Sequence, residues 1–137
     1  MRIRCQRIVD GHAEGDAIIT RQPINFLTMV NAESGTIENQ NHELYGKSVK
    51  DLVLVFPKAV GSSVGAYIIY TLKIMNAAPL AVICVEQADI ITASGCAISN
   101  IPMVKIIGKA PELSVQFKLR LAVDATNETI IVKKING

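Results

Sequence analysis

The chain has 137 residues and a net charge of +2; half are hydrophobic, 19% are charged and 4% are aromatic, with no tryptophan. With a mean hydropathy of +0.33, this composition excludes intrinsic disorder and predicts one domain over residues 1–137 with a sizeable core. It also argues against two partners: dispersed charge and scarce aromatics offer nucleic acid no track or stacking platform, and no apolar run reaches the roughly 18 residues of a membrane span.

Apolar and polar residues alternate from Ile3, so residues 3–9 read as a half-buried strand. Asp10-Gly11 is a hairpin signal, and residues 13–20 return as the second strand. From residue 21 to residue 50 the pattern loosens. Pro23 leads into the apolar run from Ile24 to Val30; a polar stretch follows, with a turn at Glu33-Ser34-Gly35 and a short strand at 36–38. A connection this long is expected to be a functional loop or a surface wrapped on a partner. Residues 52–56, LVLVF, predict a central strand buried on both faces. Pro57 ends it, because proline cannot donate to a ladder. After a loop through Gly61, a helix opening at Ser62 or Ser63 is expected to run to about Met75, closed by Asn76 and Pro79.

That helix carries one apolar stripe of Val64, Ile68, Leu72 and Met75 and a second of Tyr67, Tyr70 and Ile74, with Lys73 its one charge. A surface helix should show a polar face, so this one is expected to be covered by its own sheet and by something else. Residues 80–85 form another buried strand and complete a strand-helix-strand unit. A turn at 86–89, a short strand at 90–92, a helical turn at 93–99 and a strand at 102–107 follow. After a loop at 108–113, residues 119–123 and 129–133 pair as a closing hairpin. The whole reads as a mixed α/β chain.

Cys5, Cys84 and Cys96 are odd in number and far apart, with no Cys-x-x-Cys. They are expected to be buried free thiols, so this chain alone offers no zinc or iron–sulfur ligand set. The charged N-terminus lacks a signal-peptide pattern, which predicts a cytoplasmic protein and empties Asn127-Glu128-Thr129 of meaning as a glycosylation acceptor. Gly46-Lys47-Ser48 lacks the earlier glycine of a phosphate loop, position 41 being Asn41, and reads as a turn. His12 and His42 are both expected to be solvated in turns, which leaves a Ser-His-Asp triad little support. There remains Gly61-Ser62-Ser63, hydroxyls at a helix N-terminus where amide N–H groups lack partners and the dipole favours negative charge. Three roles are open to it: a plain helix cap, an anion site, or a serine whose alkoxide the helix end stabilises. With no histidine near in sequence, a serine acting as base depends on such help.

Motifs spread over the chain resemble the small, swivelling subunit of the aconitase X family. They are Gly11 with Ala13-Glu14-Gly15; Pro23-Ile24-Asn25-Phe26 ahead of Ser34-Gly35; His42 to Val49; residue 52 to Ser63; and Ala78-Pro79 through Gly95-Cys96-Ala97 to Ile101-Pro102. The resemblance covers residues 8–107 and extends loosely into the tail. It implies a swivelling β/β/α domain, with a mixed central sheet or barrel-like β core and a main helix after the Gly-Ser-Ser loop. It further implies a chain active only with a large catalytic subunit, whose cysteines hold a [4Fe–4S] cluster. In archaea that pair is a hydro-lyase, dehydrating mevalonate 5-phosphate for isoprenoid synthesis. The family's proton-accepting serine falls on Ser62, with Gly61 and Ser63 as substrate contacts. Two departures stand out. Ala59-Val60-Gly61 lacks the basic residue usual in the family at Val60, Lys58 standing two positions earlier. Asn25-Phe26-Leu27-Thr28-Met29 replaces the family's Ser-Phe-x-Gly-Gly. Two rival readings are a related dehydratase acting on a hydroxyproline and a non-catalytic swivelling interaction domain. The carrier form of the second requires an exposed phosphoacceptor histidine.

Overall fold

Residues 1–135 are described by a computed structural model. Their strands close into a barrel in the order β1-β5-β4-β3-β2-β6-β7, with β7 pairing back onto β1. The strands are β1 (Arg2–Val9), β2 (His12–Ile19), β3 (Val53–Phe56), β4 (Ala81–Cys84), β5 (Met103–Ile106), β6 (Leu119–Asp124) and β7 (Thr129–Lys134). The helices are α1 (Phe26–Met29), α2 (Gly65–Ile74) and α3 (Ile90–Ser99). Strands β2, β3, β4 and β5 run parallel; the others pair antiparallel. Among the described residues, no helix is long and apolar enough to cross a membrane.

Two cores explain why β3 and β4 are wholly apolar. Val53, Val55, Ala81 and Ile83 point into the barrel, against Val104, Ile106, Leu121 and Ile130. Leu54, Phe56, Val82 and Cys84 face the other way, into a layer shared with Ile69, Leu72 and Cys96 of the helices. A strand buried on both faces shows no alternation, as expected for residues 52–56. Residues 24–49 complete that second layer: Ile24, Phe26, Val30, Ile37, Leu44 and Val49 are all buried in it. The long connection therefore packs its apolar side chains into this chain's own second core.

Several expectations need correcting. Asp10-Gly11 is a corner and not a hairpin, because both edges of β1 are taken by β5 and β7 and both edges of β2 by β3 and β6. Gly11, at φ +123°, packs so closely on Pro102 that a Cβ there would lie 2.9 Å from its Cγ. Residues 90–92 are the first turn of α3 and not a strand: Asp89 caps that helix, its side chain accepting from Thr92 N. The short strand at 36–38 reduces to isolated bridges, Val30 with Ile37 and Thr36 with Ser48. Helix α2 starts at Gly65 with Val64 as its N-cap, so neither serine opens it. The other end is as expected, Asn76 taking the left-handed conformation (φ +57°) just beyond the helix.

Candidate active site

The C-terminal ends of β2, β3 and β4 lie side by side, and in parallel sheets this is the end where ligand sites gather. Three loops leave from it, residues 20–25, 57–64 and 85–89. They are laced to one another by backbone hydrogen bonds. Ile24 N–H donates to the Lys58 carbonyl at 3.3 Å and Val60 N–H to the Ile24 carbonyl at 3.0 Å. Val85 N–H donates to the Phe56 carbonyl at 2.9 Å, and Glu86 N–H to that of Pro57 at 3.1 Å.

Asp89 ties the third loop to the second. It is 7% exposed, and its Oδ1 accepts from Ala59 N–H at 2.9 Å while its Oδ2 accepts from Thr92 N–H at 2.9 Å. The Thr92 hydroxyl lies 3.0 Å from both oxygens. One carboxylate thus caps α3 and fixes the serine loop, thirty residues away in sequence. In the sequence, residue 89 reads as the end of a turn; the signal of its capping role is Asp-x-x-Thr at the head of an uncharged run.

Gly61, Ser62 and Ser63 are exposed on this loop. The Ser62 Oγ accepts from Val64 N–H at 3.1 Å, and its carbonyl accepts from Gly65 N–H at 2.9 Å. The serine is therefore folded back on the first amides of α2 and presents a hydroxyl that already holds one amide donor. Hydrogen bonds to the charged form of an oxygen acid favour ionisation. Gly61 has φ +94°, and the Asn25 carboxamide lies over it: a Cβ there would come within 2.7 Å of Asn25 Cγ and closer still to Nδ2. The Asn25 Oδ1 accepts from Thr28 N–H at 3.2 Å, capping α1. Lys58, the cation of this loop, is paired with Glu86 at 3.1 Å.

Around the serines stand exposed apolar side chains: Leu27, Val60, Val64, Tyr67 and Ile90, the last 75% exposed. Ser63, Tyr67, Ile90 and Ile98 line a groove of about 410 Å³ between α2 and α3. Of the two stripes expected on α2, the one with Tyr67, Tyr70 and Ile74 is open to solvent. The core face is set by Ala66, Ile69 and Leu72; of the Val64 stripe Leu72 is fully buried and Ile68 partly so, while Val64 and Met75 are exposed.

The remaining candidates lie elsewhere. His42 is buried and not solvated: its Nδ1 accepts from Leu44 N–H at 3.0 Å, which puts the ring proton on Nε2, facing the Pro23 carbonyl at 3.2 Å. Only the exposed His12 is left for a phosphocarrier role among the described residues. Gly46 sits at φ +82° in a turn, and the Ser48 hydroxyl donates to the Ser34 carbonyl at 2.7 Å. All three cysteines are free and buried. Burial, with help from the Glu128 and Asp124 charges, pushes the Cys5 thiol up to about 11, and burial raises Cys84 and Cys96 further still. Among the described residues, no three His, Cys, Asp or Glu side chains are grouped to hold a metal ion. The described residues, with three separate buried thiols, do not fit an iron–sulfur cluster.

Residues 2–132 match the family described as the aconitase X swivel domain. The phosphomevalonate dehydratase small subunit of Methanothrix thermoacetophila is 42% identical over 134 residues, covering 96% of this chain and 95% of that one. Its counterpart from Thermococcus kodakarensis is 39% identical over 131 residues, covering 96% and 97%. A crystal structure of Thermococcus kodakaraensis aconitase X in its holo form superposes with a TM-score of 0.89 at 35% identity, covering 98% of this chain and 99% of that chain.

Proposed function

The chain belongs to the aconitase X swivel-domain family, and from that membership we propose that it is the small subunit of a phosphomevalonate dehydratase, supplying Ser62 as the proton acceptor. The observation that carries the reading is Ser62 itself: exposed, its Oγ held by an amide N–H at 3.1 Å, at the end of the barrel where three loops meet. A serine hydroxyl is a poor base in water. The Val64 amide N–H at the start of α2 stabilises its ionised form, and that hold strengthens once water is excluded. Exclusion needs a cover, and the apolar rim of Leu27, Val60, Val64, Tyr67 and Ile90 is suited to one. The large subunit is that cover, docking so that its own residues complete the cleft above Ser62.

The reaction is elimination of water from mevalonate 5-phosphate. The Ser62 alkoxide takes the proton from the carbon beside the carboxylate, the C–H electron pair becomes the double bond, and the C–O bond of the neighbouring hydroxyl breaks. Returning that proton to the departing hydroxide gives water, restores the alkoxide and leaves trans-anhydromevalonate 5-phosphate. Gly61 and Ser63 flank the base as substrate contacts. Any iron–sulfur cluster of the assembly belongs to the large subunit, so this chain's part is confined to the proton.

The test is Ser62→Ala in the co-expressed pair. General base catalysis contributes about 10²–10⁴ in rate, and a loss of that order in dehydration of mevalonate 5-phosphate is expected with assembly unchanged. Turnover within a few-fold of the parent pair ends the assignment.

A further inference from the structure

Asn25 has two ends, and the structure accounts for one of them. Its Oδ1 accepts from Thr28 N–H at 3.2 Å, which fixes the amide orientation and leaves Nδ2 as the free end. The carboxamide is clamped over Gly61: residues 24 and 59 form a parallel bridge, and a Cβ at 61 would fall within 2.7 Å of Asn25 Cγ. Yet among the described residues the Nδ2 protons have no acceptor, and the side chain is only half-buried. A donor pair is thus held over the residue next to Ser62, with no acceptor among the described residues. The charge nearby is already committed, Lys58 being paired with Glu86 at 3.1 Å.

We propose that Asn25 is a substrate-positioning residue, its Nδ2 donating to a carboxylate oxygen of the substrate beside the carbon that Ser62 deprotonates. The inference rests on the dehydratase reading and deepens it. When a proton leaves the carbon next to a carboxylate, negative charge develops on the carboxylate oxygens, and a fixed donor there acts most strongly in the transition state. Glycine at 61 follows from the same arrangement. Any side chain there would displace the carboxamide.

The test compares Asn25→Asp, Asn25→Ala and Asn25→Ser in the assembled complex, measuring kcat and KM for mevalonate 5-phosphate beside the thermal melt. Asp and Ser keep a helix-capping oxygen, whereas Ala does not. If Asn25 only caps α1, activity follows the melt, with Ala the worst and Asp and Ser near the parent. A substrate donor reverses that order. Asp, which removes both donors and sets a negative charge against the carboxylate, is then the worst, with kcat/KM down by about 100-fold or more through both KM and kcat. Ala falls between, and Ser, retaining one donor, recovers most of the loss. Activity ranked with the melt overturns the inference while leaving Ser62 and the dehydratase reading intact. A parent complex that does not turn over mevalonate 5-phosphate overturns both.

Discussion

Replacing Gly61 with alanine tests how tightly the serine loop is built. At φ +94° an added Cβ meets strain of about 1–2 kcal/mol, the cost of left-handed backbone for an L-residue. It also meets the Asn25 carboxamide, 2.7 Å away at Cγ, which must swing out and give up the Thr28 cap, a loss of about 1 kcal/mol. Gly61→Ala should therefore cost about 2–3 kcal/mol in urea unfolding and lower Tm by roughly 10 °C. A double-mutant cycle separates the two parts. Asn25→Ala alone removes the cap and costs about 1 kcal/mol. In the double variant nothing is left to displace, so the total should equal that of Gly61→Ala alone, a favourable coupling of about 1 kcal/mol. If the single effects add to within about 0.5 kcal/mol, the carboxamide does not press on Gly61 and the clamp is refuted.

Three other perturbations probe the same molecule. Asp89→Ala uncaps α3 and leaves the buried Ala59 N–H without its acceptor, so urea unfolding should show a loss of about 2–4 kcal/mol; a loss below about 1 kcal/mol would mean the loops are not tied by this carboxylate. Ile90→Glu changes a side chain 75% exposed and should leave the chain's own melt within about 0.5 kcal/mol of the parent. Its binding to the large subunit, followed by calorimetry, should weaken about tenfold or more; unchanged affinity would place the docking face elsewhere. The buried thiols are held protonated, Cys5 up to about 11. Because the unfolded thiols ionise near pH 8.5–9 at roughly their ordinary value, stability should hold below that pH and fall as pH rises toward about 11. Iodoacetamide at neutral pH should label the cysteines only after denaturation, and ready labelling of the folded chain would show a thiol open to solvent.

Local pattern revealed most of the fold. The apolar blocks at β3 and β4, the uncharged α2 between them and the β6–β7 hairpin are each written in a short stretch of sequence. What was misread depended on distant neighbours. The Asp10-Gly11 signal is a true turn signal, but barrel closure gives β1 to β5 and β7, and no local feature reports that. In Ile90-Ile91-Thr92 the β-branched residues favour a strand, and one capping interaction from Asp89 outweighs them. Gly95, unfavourable within a helix, is there because α2 and α3 approach closely: a Cβ at 95 would lie 2.7 Å from Ile69 Cδ1 and 3.1 Å from the Ala66 carbonyl.

The same division runs through the site. The serine loop is legible because a glycine and two hydroxyls lead into an apolar helix, and the family resemblance picks Ser62 from the pair. Even there the serines looked like caps, whereas Val64 takes that position and Ser62 instead receives its N–H. That displacement matters for chemistry. A capping serine would be bound into the helix end, but one set ahead of Val64 keeps its hydroxyl exposed while still holding one amide donor. Neither the contact of Asn25 with Gly61 nor that of Asp89 with Ala59 is written in local sequence, because the partners lie on other loops. Parallel strands deliver their loops to one end of the barrel. Residues that share no local pattern are thereby made neighbours, and Ser62, Asn25 and the Asp89 carboxylate that fixes the loop come from three separate stretches of chain.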